Sequence, residues 1–208
     1  MKMTVFHVLL ITVALMSAGR TYAVDKAEKS TILFEDDFAK LDPGWDIIGD
    51  THTEKNKLIV QPPPSKTYIT LYKANLFDDM DASVDVHLAK GTSAAGLTFW
   101  GTDTENCYFA EVLPLTGQYC VGRYLKNRLL FPVTWRDSNL VKKTPDALNK
   151  LRVVTKGSSA TIFINGKEMI TFKGQPPDGG GFIGTIAGSN DDQNSWEFSN
   201  LIIKNPAP

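Results

Sequence analysis

The sequence contains few of the residue types from which catalytic and metal sites are most often built. Among its 208 residues there are only three histidines and two cysteines. It has no G-x-S-x-G elbow, no H-E-x-x-H motif and no cysteine–histidine arrangement, so it gives no sign of a serine hydrolase, a zinc protease or a thiol enzyme. His87 falls on a polar strand face, where we expect a solvated imidazole.

An excess of charge of one sign is also lacking. Without the first 23 residues the chain has 20 basic side chains against 23 acidic ones, a net charge of about −3, and no basic run. This near-balance argues against nucleic acid or an anionic membrane as the main partner.

No apolar run is long enough for a membrane span. The longest, residues 5–16, follows Lys2 and precedes Thr21-Tyr22-Ala23, which ends on small residues. This pattern predicts a secretory signal peptide over residues 1–23. We therefore predict a secreted or periplasmic protein, cleaved near Ala23, with a single domain over residues 24–208.

A helical pattern is missing as well. Beyond the signal, no window keeps a 3.6-residue apolar period, whereas short runs alternate apolar and polar residues. Asn165-Gly166 supplies the two positive-φ residues of a tight hairpin turn between ATIFI and KEMITF, and LRVVT extends the hairpin to a three-strand meander. Roughly a dozen strands predict an all-β fold, an antiparallel two-sheet jelly-roll sandwich, with a closed barrel as the alternative.

Two hairpins in the middle of the chain define a register. AGLTFWG leads into CYFAEVL through residues 102–106, and CYFAEVL leads into QYCVGRY through the turn at residues 114–117. The predicted opposite pairs, which form an apolar core face, are Phe99 with Tyr108, Leu97 with Ala110, Ala110 with Val121 and Val112 with Tyr119. Strand alternation places on the other face Thr98, Trp100, Cys107, Phe109, Glu111, Cys120, Gly122 and Tyr124.

That second face mixes aromatic rings with a carboxylate and a glycine. Rings beside hydrogen-bonding groups suit a sugar, whose C–H face is apolar and whose rim carries hydroxyls. We interpret the face as a ligand-binding surface on which Trp100, Phe109 and Tyr124 stack. Asn106 and Glu111 would supply the hydrogen bonds. The alternative is that a loop covers this face and the aromatic rings only fill space.

The two cysteines invite a disulfide in an exported chain. In the predicted register Cys120 stands opposite Glu111, four residues along the strand from Cys107, or roughly 13 Å away. A disulfide requires Cα atoms within about 7 Å. We therefore predict that Cys107 and Cys120 are unpaired.

Five further side chains complete the set of candidates. Trp135 and Arg136 of PVTWRDS join the predicted ligand-binding residues, although alternation lets only one of them share the face of the site. Arg123 falls on the core side near a strand end, where we expect it to pair with a carboxylate. Trp45 and Trp196, in the terminal strands, are expected in the core.

Several blocks of the sequence resemble a known superfamily. They are FEDDF followed by LDPGW, AGLTFWGTDTENCYFAEVLPLTGQYCVGRY, LNKLRVVTKGSSATIFINGKEMITFKGQPPDGGGFIG and the closing SWEFSNLIIK, which together span about residues 32–204. They are similar to the concanavalin A-like lectin/glucanase superfamily, and within it to bacterial secreted domains grouped with the 3-keto-disaccharide hydrolase family and to laminin-G-like modules. The resemblance implies a jelly roll in which the first and last strands lie together and one sheet is concave.

The resemblance leaves activity open, because that superfamily includes lectins, glucanases and interaction domains. Its glycanases carry an E-x-D-x-x-E strand that points three carboxylates the same way, as two-carboxylate hydrolysis requires. This sequence lacks that motif. The leading hypothesis is therefore an exported carbohydrate-binding protein. The alternatives are a glycoside-acting hydrolase of the 3-keto-disaccharide type, with Glu111 as acid or base, and a protein-interaction module.

Metal binding is a smaller possibility, because this fold class often carries a structural calcium bound by loop oxygens. No other cofactor is predicted. The candidate acidic clusters are Glu35-Asp36-Asp37, Asp78-Asp79-Asp81 and Asp191-Asp192. Solvated turns explain these clusters equally well.

Overall fold

The computed structural model describes residues 31–207, which form strands joined by turns and loops. The predicted signal peptide, residues 1–23, lies outside this range. The strands are β1 (Ile32–Asp36), β2 (Trp45–Asp46), β3 (Thr51–Glu54), β4 (Lys57–Val60), β5 (Thr67–Phe77), β6 (Asp81–Lys90), β7 (Ala95–Asp103), β8 (Asn106–Leu113), β9 (Gln118–Leu125), β10 (Arg128–Asp137), β11 (Asn149–Lys156), β12 (Ser159–Ile164), β13 (Lys167–Lys173), β14 (Gly181–Gly188) and β15 (Ser195–Lys204). The described residues contain no helix able to span a membrane.

The strands build two antiparallel sheets, so the sandwich prediction is confirmed and the closed barrel is wrong. One sheet has eight strands in the order β13-β12-β11-β6-β15-β4-β3, with β1 paired to β15. The other has seven strands in the order β10-β9-β8-β7-β14-β5-β2. The main core lies between them and takes apolar side chains from both, because each sheet turns one face of alternating side chains inward.

The short-range predictions hold in the structure. Asn165 and Gly166 adopt φ values of 50° and 80°, as a tight turn between β12 and β13 requires. The central register is as predicted, with Phe99 opposite Tyr108 and Glu111 opposite Cys120. The first and last strands pair, as the resemblance implied.

Trp100 departs from the predicted alternation. The pairing of β7 with β8 is interrupted by a bulge between Phe99 and Asp103, and Trp100 within it has a φ of 50°. The bulge rotates Trp100 into the main core, where its ring centroid lies 5.4 Å from that of Phe99 and 5.3 Å from that of Tyr108. The prediction that Trp100 shares a face with Glu111 is therefore wrong, because an inserted residue breaks the period of two.

The cysteines and the terminal tryptophans lie as predicted. Cys107 and Cys120 are both buried and free. Trp45 and Trp196 are buried in the main core.

Candidate functional site

Glu111 is a buried carboxylate on β8, on the face of the seven-stranded sheet that is turned away from the main core. Its side chain is 8% exposed. The thiol of Cys120, directly opposite on β9, donates a long hydrogen bond of 3.9 Å to Glu111 Oε2. Burial disfavours the charged form and raises the pKa of Glu111 to about 7, which the bond from Cys120 opposes. Glu111 therefore exchanges a proton near neutral pH.

The face around Glu111, which we call the outer face, carries a second apolar cluster. Its buried members are Ile69, Leu71, Cys107, Phe109, Cys120 and Ile186, and Tyr124 and Phe182 pack against them. The thiols are unreactive by environment, since burial raises the pKa of Cys107 to about 12 and that of Cys120 further. The outer face thus offers Glu111 apolar neighbours and little water.

Thr98 contributes a second polar group to this face. It stands opposite Phe109 on β8 and opposite Gly184 on β14, and it is fully buried. Its hydroxyl has no hydrogen-bond partner within the described residues. Because a buried polar group without a partner is costly, this hydroxyl is a position that a ligand could satisfy.

Phe109 and Tyr124, both predicted to stack on a sugar, differ in exposure. Phe109 is 2% exposed and lies over Gly122, where a Cβ atom would collide with its ring. Tyr124 is half-buried, and its ring centroid is 5.6 Å from that of Phe109. Burial, and to a smaller extent Glu111 and Cys107, raise the pKa of Tyr124. Phe109 therefore fills space, and Tyr124 is the ring that keeps an exposed edge.

A pocket of about 300 Å³ opens beside Tyr124, where β8 begins and β9 ends. Three predicted site residues, Trp100, Asn106 and Tyr124, line it. The remaining lining residues are Thr102, Cys107, Tyr108, Arg123, Leu125, Gln175, Pro176 and Pro177. We call this cavity the strand-end pocket.

Asn106 has a structural role at the edge of this pocket. Its amide nitrogen donates to both carboxylate oxygens of Asp103, at 2.9 and 3.0 Å. Its amide oxygen accepts from the backbone N–H of Lys126 at 2.9 Å. The side chain therefore ties the β7–β8 turn to the β9–β10 turn, and both ends of its amide are already bound.

Within residues 31–207 Arg123 does not have the carboxylate partner expected of it. Its guanidinium carbon lies 4.7 Å from the ring centroid of Tyr108, and Nη1 donates to Gln175 Oε1 at 2.7 Å. The sequence gives little sign of this arrangement. Gln175 is 52 residues away along the chain, and only the tertiary structure brings its loop to β9.

Trp135 and Arg136 lie away from Glu111. They belong to β10, the edge strand, which β9 separates from β8. Both side chains are exposed, Trp135 to 37%, and neither lines the strand-end pocket. Two irregularities in the pairing of β10 with β9 explain why alternation could not assign a face to either residue.

His87 is not the solvated imidazole that was expected. Its Nδ1 lies 2.9 Å from Glu197 Oε2, and its Nε2 lies 2.9 Å from the carbonyl oxygen of Pro145. Lys57 also binds Glu197, at 2.5 Å. Burial is the largest single influence on the pKa of Glu197 and raises it. The hydrogen bonds from Lys57 and His87, together with their charges, outweigh burial and lower the pKa below its ordinary value. This cluster joins β4, β6, β15 and the loop before β11.

Several carboxylates of the acidic clusters bind other groups of the chain. Asp36 accepts from the N–H of Phe38 and from Trp45 Nε1, at 2.7 and 2.8 Å. Asp81 forms a two-point pair with Arg152. Within residues 31–207 no three His, Cys, Asp or Glu side chains come together as a metal site. A structural calcium remains a prediction.

Comparison with protein families gives a clear match. Residues 29–204 match the 3-keto-alpha-glucoside-1,2-lyase-like domain. The chain belongs to this family. A comparison with curated protein sequences finds no match.

Solved structures with the same fold include proteins that are named for carbohydrates. The carbohydrate-binding module CBM66 from Bacillus subtilis has a TM-score of 0.64 at 15% identity and covers 77% of this chain and 95% of its own. The Bacillus licheniformis beta-glucanase has a TM-score of 0.60 at 12% identity, with coverages of 83% and 97%. The laminarinase catalytic domain from Thermotoga petrophila has a TM-score of 0.60 at 8% identity, with coverages of 85% and 98%. These similarities confirm the concanavalin A-like jelly roll.

Proposed function

We propose that the protein recognises a carbohydrate at the outer face of the seven-stranded sheet, with Glu111 binding sugar hydroxyls. The observation that carries this proposal is the state of the Glu111 carboxyl group. It is buried, and the only hydrogen bond that the described residues give it comes from a thiol at 3.9 Å. A buried carboxyl group with so weak a partner gains stability from any ligand that brings hydroxyl groups to it.

The neighbours of Glu111 support a sugar over other ligands. The hydroxyl of Thr98, which has no hydrogen-bond partner among residues 31–207, adds a second hydrogen-bonding position on the same face. Tyr124, half-buried beside Phe109, offers a ring to the apolar side of a sugar. A face with few polar groups among apolar ones is typical of small-ligand sites. Export, predicted from residues 1–23, would place the protein where it meets glycans, and it remains part of this proposal.

The proposal is tested by calorimetric binding of neutral and acidic oligosaccharides to the wild-type protein and to Glu111→Gln. The amide keeps the shape of the carboxyl group but cannot carry its charge. At pH 8, where the carboxyl group is mostly ionised, we expect the affinity to fall about 10-fold or more, because hydrogen bonds to a charged group are stronger than those to a neutral one. Glu105→Gln, which changes an exposed carboxylate in the β7–β8 turn, is the matched control. If no oligosaccharide binds the wild-type protein, the proposal is wrong.

A second candidate function is elimination from a 3-keto glycoside, and the pKa of Glu111 favours it. A ketone at C3 acidifies the proton on C2. A base removes that proton, the electron pair forms a C1=C2 bond, and the C1–O bond breaks as its oxygen takes up a proton. One carboxylate with a pKa of about 7 is suited to this step at neutral pH. Two-carboxylate hydrolysis needs a second carboxylate beside Glu111, but this elimination does not, because the keto group of the substrate acidifies the proton that the base removes.

The two candidates differ in what Glu111→Gln does. As a base, Glu111 is essential to turnover, so the variant would still bind a 3-keto glycoside but would not form product. The product is a conjugated enone that can be followed by its ultraviolet absorbance. A wild-type protein that binds 3-keto glycosides and leaves them intact would exclude the enzyme candidate and keep the binding one.

A further inference from the structure

We propose that the strand-end pocket binds the carboxylate of an acidic sugar, with Arg123 as the residue that recognises it. The inference rests on the proposed carbohydrate function and names a class of ligand for it. Tyr124 links the two places, because its ring packs against Phe109 on the outer face and also lines the pocket. A glycan that reaches Glu111 along Tyr124 therefore has the pocket as its next contact.

Among the residues that the structure describes, no carboxylate pairs with the positive charge of Arg123. The ion pairs within residues 31–207 involve other side chains, and Arg123 takes part in none of them. Arg152 shows the usual arrangement, since two of its nitrogens bind both oxygens of Asp81. Arg123 instead gives one hydrogen bond to the neutral amide of Gln175. A guanidinium has five N–H donors in a planar fork, so most of its donors remain for a ligand.

The guanidinium is nevertheless held in place. It lies over the ring of Tyr108, and Gln175 accepts a hydrogen bond from Nη1. The same Gln175 donates its backbone N–H to the hydroxyl of Tyr108 at 3.1 Å. An arginine that is already ordered loses less conformational entropy when a ligand binds, which favours recognition over a flexible surface contact.

The chemistry of the pocket wall selects the ligand. Arg123 is the one ionised side chain among the lining residues. Tyr124 is the lining ring with an exposed edge, since Trp100 and Tyr108 are each 4% exposed. Asp103, the carboxylate of the adjoining turn, is bound by Asn106 and does not line the pocket. A planar carboxylate matches the guanidinium fork with two bonds, while the ring that bears it contacts aromatic surface. A uronic acid residue has both parts.

Trp100, which lines the pocket, is held in place by close packing. The backbone at Gly174 approaches Trp100 so closely that a Cβ atom there would collide with the indole ring. Trp100 itself has a φ of 50°, a conformation that a bulky residue rarely adopts. Residues held in this way often lie at ligand sites, where surrounding contacts fix them.

The test is calorimetric binding of oligogalacturonate, oligoglucuronate and oligomannuronate, each compared with the same oligosaccharide after its carboxyl groups are reduced to alcohols. We expect at least one acidic form to bind the wild-type protein about 10- to 100-fold more tightly than its reduced form, the range of a two-point charged hydrogen bond. Arg123→Gln should remove this preference. Arg123→Lys should keep part of it, because lysine retains the charge without the fork. Arg128→Gln, an exposed arginine on β10 outside the pocket, is the control.

The outcomes separate this inference from the proposed function. Equal binding of acidic and reduced forms overturns the inference and leaves the carbohydrate proposal standing. Failure of all three acidic forms to bind also overturns it. If acetate and free citrate compete as well as the oligosaccharide does, the pocket recognises a carboxylate without a sugar, and the assignment to an acidic sugar is wrong. Thermal unfolding of each variant shows whether lost binding comes from lost folding.

Discussion

Tyr108 contacts both Arg123 and Gln175, two residues that line the strand-end pocket. The centroid of its ring lies 4.7 Å from the guanidinium carbon of Arg123, and its hydroxyl oxygen accepts a hydrogen bond of 3.1 Å from the backbone N–H of Gln175. One residue of β8 thus positions a charge on β9 and a loop that follows β13. The predicted register placed Tyr108 on the core side, and the structure adds that its polar end reaches the pocket.

Tyr108→Phe should loosen this loop without removing the ring. The variant loses one hydrogen bond and leaves the N–H of Gln175 to water, so we expect the free energy of unfolding to fall by about 1 kcal/mol. Hydrogen exchange at the Gln175 amide should quicken, which NMR measures directly. Tyr119→Phe, a buried tyrosine on β9, is the control. Unchanged exchange at Gln175 in Tyr108→Phe would contradict the role assigned to the hydroxyl.

Trp100→Ala should destabilise the protein strongly. The indole is 4% exposed and packs against Phe99, Tyr108 and Phe172, so its removal leaves a large cavity in the core. Such changes cost about 3–5 kcal/mol, which denaturant unfolding measures. Trp135→Ala, at an exposed edge-strand position, should change stability far less. A Trp100→Ala variant as stable as Trp135→Ala would mean that the indole is not part of the core.

Glu111→Gln should change how stability depends on pH. In the unfolded chain the carboxyl group ionises near its ordinary pKa of 4.5, whereas in the fold it keeps its proton to about 7. Between these values the folded state binds more protons, so the wild-type free energy of unfolding falls as the pH rises from about 4.5 to about 7.

Above pH 7 this loss is complete and amounts to about 3 kcal/mol at most. Glu111→Gln has no such group, so its unfolding free energy should be flatter over this range and should exceed the wild-type value at pH 8. Chemical denaturation at pH 4.5, 6 and 8 makes the comparison, with Glu105→Gln as the exposed control. Parallel wild-type and Glu111→Gln profiles would show that Glu111 keeps its ordinary pKa.

Thr98→Val and Thr70→Val should have similar effects on stability but different effects on glycan binding. Both hydroxyls are buried and have no hydrogen-bond partner in the described part of the chain. Replacing either with a methyl group therefore removes a cost and should raise stability by about 1 kcal/mol. Only Thr98 lies on the outer face. Thr70 alternates with Ile69 and Leu71 of the outer cluster and therefore points the other way. Thr98→Val should weaken glycan binding, and Thr70→Val should leave it unchanged. Equal affinities in the two variants would remove Thr98 from the proposed site.

The sequence determined the all-β class, the strands of the central hairpins and of the β11–β13 meander, the central register and the unpaired cysteines, although it predicted about a dozen strands where residues 31–207 form fifteen. Each follows from local rules: alternation assigns faces, and the turn at Asn165-Gly166 and the loops around β8 fix which residues stand opposite one another. The placement of Glu111 opposite Cys120 needed no more than these rules. The identity of the candidate carboxylate was therefore available from the sequence.

Only the tertiary structure decided the surroundings of that carboxylate and the existence of the strand-end pocket. Alternation has no means of foreseeing the bulge that turns Trp100 into the core, since extra residues in one strand break the period of two. The contact of Arg123 with Gln175 joins positions 52 residues apart. Such pairings depend on how separate loops pack at the end of a sheet, and burial, which sets the pKa of Glu111, depends on the whole fold.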